Sequence, residues 1–305
     1  MIARHSQKNG VEMHELSGFT FSKIVIIQSL EPEEVQTGQI LSDYISGLPG
    51  YLNYQPPITV INCKHANQFL EILQDLTQDA AAGDIPLLHI ECHGNIKDGL
   101  EFENSSTLSW DRLSAALIPL NIATRFNLLA VFSACFGAHF VSQIEPIEPS
   151  PCWCLVAPTE RVGVDEILQS FRVFYSALIN DNDMGAAVRS ISNCRLSHGR
   201  WLSKPAELWF EQLVTGYVKT HCTEPAARKR AQEMYRERKR EGKRCNLGSL
   251  IRMLRKKNRQ SLHSDYFDKF FMISQIPENF LRFESTRNRL MIKLEEFRHS
   301  GEYVI

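Results

Sequence analysis

Pro86-Leu-Leu-His-Ile-Glu-Cys-His-Gly94 and Asn127-Leu-Leu-Ala-Val-Phe-Ser-Ala-Cys-Phe-Gly137 decide how this chain folds. Each is a short apolar run that ends abruptly, the first at His93-Gly94 and the second at Cys135 with Gly137 just beyond. Their length and bounding residues are those of buried strands. As neighbouring parallel strands they bring His93 and Cys135 side by side at the carboxyl edge of one sheet, where open α/β sheets place their ligands. An imidazole beside a thiol can take its proton, and the thiolate is the nucleophilic form. The expectation is a hydrolytic dyad of His93 and Cys135.

Outward from these two runs the pattern repeats. Residues 23–28, 58–62 and 152–157 are further short runs rich in β-branched and apolar side chains, which predicts strands. Helical spacing occupies the intervals, over 35–45, 65–81, 109–117, 137–143, 165–178 and 184–196. Ser109 and Asp165 are the expected caps of two of these helices. Residues 99–103, with Thr107 and Leu108, predict a small hairpin. Strands alternating with helices at this spacing argue for a three-layer α/β fold around a parallel sheet. Beyond Trp201 the pattern becomes helical, with a basic stretch over 225–257 interrupted near Gly242 and Gly248, and an aromatic-rich stretch over 266–283.

At 305 residues and 43% apolar, the chain can bury a full core. Its net charge of −1 hides an asymmetry. Residues 223–259 hold fourteen Lys/Arg against four Asp/Glu, while the rest carries 20 against 31, an acidic body with a basic appendage. The N-terminus has no apolar h-region and no run is long enough to cross a bilayer, so a cytoplasmic setting is expected. A reducing compartment keeps Cys135 free among the eight cysteines.

A strand ending in His-Gly, a parallel strand ending in Ser-Ala-Cys-x-Gly and a helix after the fifth strand resemble the caspase-like cysteine peptidases, closest to their prokaryotic CHAT-type branch. The likeness covers roughly residues 24–196. It implies a caspase-like sheet in a peptidase domain over 21–200, after a loosely ordered lead-in over 1–20 and before a helical, partly basic extension over 201–305. It also implies His93 as general acid/base, Cys135 as nucleophile, and the amides of Gly94 and Cys135 as oxyanion hole. A protein or peptide substrate, an activating partner or proteolytic event, and a role in stress or antiviral defence come with the resemblance, and no cofactor does. The chain departs from members that cut after aspartate, which read Gln-Ala-Cys-Arg-Gly and carry an arginine after the first strand. Here Ser133 replaces the glutamine and Gln28-Ser-Leu-Glu31 lacks the arginine, so aspartate specificity is not expected. Ser133, Glu160 and Asp165 are the candidate pocket residues. A carboxylate of Glu160 or Asp165 would select arginine or lysine, with an apolar pocket as the competing reading.

Other readings stand beside these. Cys135 taken alone is a small buried hydrophobe at a strand end. Strand alternation turns Cys92 to the face opposite His93, into the core, and leaves His89 and Glu91 deeper on the face of His93, packed or hydrogen-bonded. His139 follows Cys135 by four residues and is structural or a hydrogen-bond partner near the site. Cys152-x-Cys154 with Cys135 and His139 offers soft ligands, but the spacing matches no common zinc site and no metal is expected. The rival class is an inactive interaction module whose basic helices bind nucleic acid or a partner protein, and a small-substrate amidase is a further one.

Overall fold

The computed structural model describes residues 19–305 apart from 52 and 53, so the lead-in expected over 1–20 lies outside the described residues except for its last two. Strand β1 (Lys23–Ser29) pairs in parallel with β2 (Ile58–Asn62) on one side and β3 (Pro86–Asn95) on the other. Beyond β3 the sheet continues, past the small hairpin of β4 (Gly99–Glu101) and β5 (Thr107–Leu108), to β6 (Leu129–Ser133), β7 (Cys154–Pro158) and β8 (Trp201–Pro205). The order is β2-β1-β3-β6-β7-β8, with the hairpin hydrogen-bonded to the end of β3. Strands β6 and β7 are buried at every position, as uninterrupted apolar strands must be when helices cover both faces.

Helices α1 (Thr37–Ser46) and α4 (Val164–Asn180) cover the face to which His89 and Glu91 point, since Thr37 and Tyr175 hydrogen-bond those side chains. Helices α2 (Ala66–Ala81) and α3 (Trp110–Ala123) pack together over the other face, where Trp110 stacks on Phe132. The three-layer α/β fold follows. It differs from the expected wholly parallel sheet in its last strand: β8 runs antiparallel to β7 and closes the sheet.

Two local readings are corrected. Asp165 is not the cap of α4; Gly163 holds that position, and its N–H donates to Glu166 Oε2 at 2.8 Å. Asp165 sits inside the first turn, where a carboxylate complements the helix dipole. The segment Gly137–Gln143 is a 3₁₀ helix of seven residues rather than an α-helix, so it does not set the N-terminal dipole of an α-helix behind Cys135.

After α5 (Met184–Asn193) and β8, the chain is helical among the described residues: α6 (Ala206–His221), α7 (Glu224–Arg240), α8 (Leu247–Gln260), α9 (Tyr266–Phe270), α10 (Asn279–Arg282) and α11 (Glu284–Ser300). The aromatic-rich stretch joins the main core, where the Phe283 ring stacks 4.4 Å from Phe271 and contacts Phe126 at 5.2 Å. Glu211, nearly buried on α6, pairs with Arg289 and Lys293 of α11. The basic hairpin α7–α8 has its own small cluster of Ala231, Leu250 and Leu254. It turns at Gly242, whose φ of +70° favours glycine, whereas Gly248 lies within α8.

Candidate active site

Strands β3 and β6 run in parallel, and their last paired residues are Glu91 and Ser133. His93 and Cys135 therefore lie two residues beyond the same rung, at the carboxyl edge. There β3 changes partner: from His93 onward it pairs antiparallel with β4, His93 opposite Glu101. This exchange carries His93 past the sheet while its backbone stays hydrogen-bonded, so the residue is exposed without being loose.

Glycine at position 94 is required by contact. A Cβ there would sit 2.6 Å from the carbonyl oxygen of Cys135 and 3.2 Å from Ala134 Cβ. Any larger residue would push the two strand ends apart. Gly137 is also explained by contact, its missing Cβ lying 3.1 Å from Phe132 Cβ and 3.2 Å from Ala157 Cβ. The sharp turn after Cys135 is taken by Phe136, whose φ of 59° is left-handed and costs about 1–2 kcal/mol in a residue with a side chain. Its N–H donates to the carbonyl of Glu160 at 3.0 Å, and Gly137 N–H donates to the carbonyl of Ala134 at 3.0 Å. Backbone held against its preference next to a candidate nucleophile is a recurrent property of functional sites. Cys135 N–H itself has no acceptor among the described residues.

The imidazole of His93 is half-exposed, and its Nε2 lies 2.9 Å from Glu34 Oε1. The other carboxylate oxygen of Glu34 accepts the backbone N–H of Glu31 at 2.8 Å, which fixes the carboxylate in place. An ionised carboxylate only accepts, so Nε2 carries the proton and Nδ1 of the neutral ring is left with its lone pair. Cys135 is partly exposed, and its Sγ lies 3.9 Å from the carbonyl oxygen of Val162. Among the described residues no hydrogen bond joins the two side chains. Free enzymes often show long or unformed catalytic hydrogen bonds that tighten with substrate.

Below this edge, on the same face of β3, lies a closed polar network. Tyr175 O–H, held protonated because burial pushes its pKa well up, donates to His89 Nδ1 at 2.9 Å. His89 Nε2–H donates to Glu91 Oε1 at 2.8 Å, and Thr37 Oγ1 donates to Glu91 Oε2 at 2.7 Å. All four residues are buried, as packed or hydrogen-bonded groups should be. Cys92 lies on the other face in the core, and burial first, then the charge of Glu91, pushes its thiol well above the ordinary range. Cys152 and Cys154 are likewise buried and shifted upward by burial. These thiols stay protonated and inert, while Cys135 is reachable. His139 is partly buried, and its main chain closes the 3₁₀ turn by donating to the carbonyl of Phe136.

The pocket candidates surround the same edge. Ser133 is buried beside Glu91, and its hydroxyl has no hydrogen-bond partner among the described residues. Glu160 is exposed, on a loop tied to the Cys135 turn through its own carbonyl. Asp165 is exposed on the first turn of α4, its carboxylate not engaged in a cap. Glu34 was not identified in the sequence. The signal that points to it is topological: β1 neighbours β3, so the loop after β1 opens at the edge that carries His93. Among the described residues no helix is long and apolar enough to cross a membrane. Comparison with the models of known protein families gave no match to this chain, and a search of curated proteins gave none either.

Proposed function

We propose that this protein is a cysteine endopeptidase of caspase-like type acting through His93 and Cys135. The observation that carries the reading is the placement of both residues two positions past one rung of adjacent parallel strands, with Gly94 packed on the Cys135 backbone. Nδ1 of His93 takes the Cys135 thiol proton, and the thiolate attacks the scissile carbonyl carbon. The developing oxyanion is held by the N–H groups of Cys135 and Gly94, that of Cys135 having no acceptor among the described residues. The C–N bond then breaks, the amine leaves with the proton from the imidazolium, and water hydrolyses the thioester to release the new carboxyl end. Glu34 positions the ring through Nε2.

Because the two side chains are not joined here, completing the dyad requires the ring or the thiol to move, which substrate or an activating partner can drive. The setting in a prokaryotic stress or antiviral defence system rests on the resemblance alone. At the pocket, the exposed carboxylates of Glu160 and Asp165 favour a basic residue before the cut. The test is labelling by a peptide bearing a thiol-directed electrophile, with arginine, lysine, leucine and aspartate at its reactive end. Labelling of the native protein and none of Cys135→Ala is expected, strongest for the basic peptides. No Cys135-dependent labelling by any peptide overturns the peptidase, and a leucine or aspartate preference overturns only the acidic pocket.

A further inference from the structure

The basic hairpin is not used by the site described above. Helix α8 carries Arg252, Arg255, Lys256, Lys257 and Arg259 and not one carboxylate between Leu247 and Gln260. At 100° per residue, Arg252, Arg255, Lys256 and Arg259 fall within an arc of about 100°. That arc lies opposite the buried stripe of Leu250, Leu254 and Asn258. All four cations are exposed, and none forms an ion pair among the described residues. Arg252 with Lys256 and Arg255 with Arg259 are like-charge pairs one turn apart, each of which weakens the helix by a few tenths of a kcal/mol. The helix tolerates this repulsion because it is fastened elsewhere. Asn258 Nδ2 donates to the carbonyl of Val304 at 2.8 Å, and Thr223 bridges to Tyr303 at the start of α7.

We infer that the outer face of α8 is a docking surface for the phosphodiester backbone of duplex nucleic acid. The four cations span about 10 Å of helix axis, over which a duplex presents about six negative charges. A polyanion laid there removes the internal repulsion and releases counterions. A single-stranded ligand fits less well, because stacking platforms need aromatic rings and α8 has none, Tyr235 being the exposed ring of α7. A lipid surface fits less well too, because the apolar stripe of α8 is turned inward against α7 and is not available to enter a bilayer. Base-specific reading is not implied, so binding is expected to ignore sequence.

The test is fluorescence anisotropy with a short labelled duplex of scrambled sequence, titrated with the full chain over a range of KCl. The native protein should bind with a log–log salt slope of about −3 to −4, from four neutralised phosphates. The variant with Arg252→Gln, Arg255→Gln, Lys256→Gln and Arg259→Gln should bind at least about tenfold more weakly and with a flatter slope. Should that variant fail to fold by circular dichroism, Arg252→Gln with Lys256→Gln serves instead and should flatten the slope by about two units. Duplex binding that is absent, insensitive to salt, or unchanged in the variants overturns the inference. So does binding to vesicles of phosphatidylserine and phosphatidylcholine without duplex binding, or salt-sensitive self-association against the acidic body of a second copy in its place.

Discussion

Strand β3 carries two histidines four residues apart on one face, each paired with a carboxylate at nearly equal distance and in opposite surroundings. His89 and Glu91 meet at 2.8 Å and are essentially buried, their remaining atoms taken up by Tyr175 and Thr37. His93 and Glu34 meet at 2.9 Å with the His93 side chain 54% exposed and Nδ1 without a hydrogen bond among the described residues. The distance between ring and carboxylate does not separate the two; what is left over does. In the lower pair both ring nitrogens and both carboxylate oxygens are hydrogen-bonded, so the pair holds helices α1 and α4 to the sheet and is buried away from any substrate. In the upper pair one nitrogen is free at the edge where Cys135 emerges. Burial makes the first a structural device and exposure makes the second available for chemistry.

The largest expected effect breaks the comparison at its upper member. His93→Ala and Cys135→Ala should each lower peptide hydrolysis by on the order of 10⁴-fold or more, and the double variant should be little worse than either. Urea denaturation midpoints should hardly move, because both side chains are partly exposed. Near-native activity in Cys135→Ala would remove the nucleophile from the scheme.

At the lower member the outcome should invert. His89→Ala leaves Glu91 buried with only Thr37 to satisfy it and should cost about 3–5 kcal/mol of stability. Urea denaturation measures this, and a loss under about 1 kcal/mol would mean the network is not tight. Hydrolysis by the fraction that remains folded should stay close to native, since His89 reaches no reacting group.

Glu34 sharpens the comparison because it acts only through His93. Glu34→Ala frees the ring and should lower kcat by about 10- to 100-fold with KM little changed. Glu34→Gln keeps an oxygen that can accept from Nε2–H and should restore most of that loss. Equal damage in both variants would show that the charge matters and not the orientation.

The sheet was legible because its central strands are short, apolar and β-branched, and because their punctuation falls at the edge. The hairpin at 99–108 was legible for the same reason. Strand β8 was not: Trp201-Leu-Ser-Lys-Pro205 is a mixed edge sequence with no strong period, and only its antiparallel pairing with β7 marks it as a strand. The cap of α4 could be read from Gly163 and Glu166 three apart, but Asp165 offered a more familiar capping residue. Glu34 was hidden because 59 positions separate it from His93 and only the strand order brings them together. That His93 and Cys135 follow adjacent strand ends in register was legible; the contact of the His93 ring with Glu34 was not.

The smallest expected effect concerns the phenol that closes the lower network. Tyr175→Phe removes only the phenolic oxygen, and with it the O–H donor, and keeps the ring packed against Phe171 and Phe174. It leaves His89 Nδ1 without its donor, which should cost about 1–3 kcal/mol at neutral pH. The same change should alter the response to alkali. Burial, and then the charge of Glu91, raises the Tyr175 pKa in the folded chain well above its ordinary value, so the folded state keeps a proton that the unfolded state releases near pH ~10. The unfolded form then binds fewer protons, and stability falls as pH rises past that point. Below it the contribution of Tyr175 is fully present. Between neutral pH and about pH 11 the native protein should therefore lose stability more steeply than Tyr175→Phe, and the gap between the two should narrow. Buried thiols such as Cys92 impose the same downward trend on both proteins, so the measurement is the difference between their urea midpoints and not the slope of either. A gap that stays constant across that range would mean the phenol titrates alike in the folded and unfolded chains, and the lower pair would then be open to solvent like the upper one.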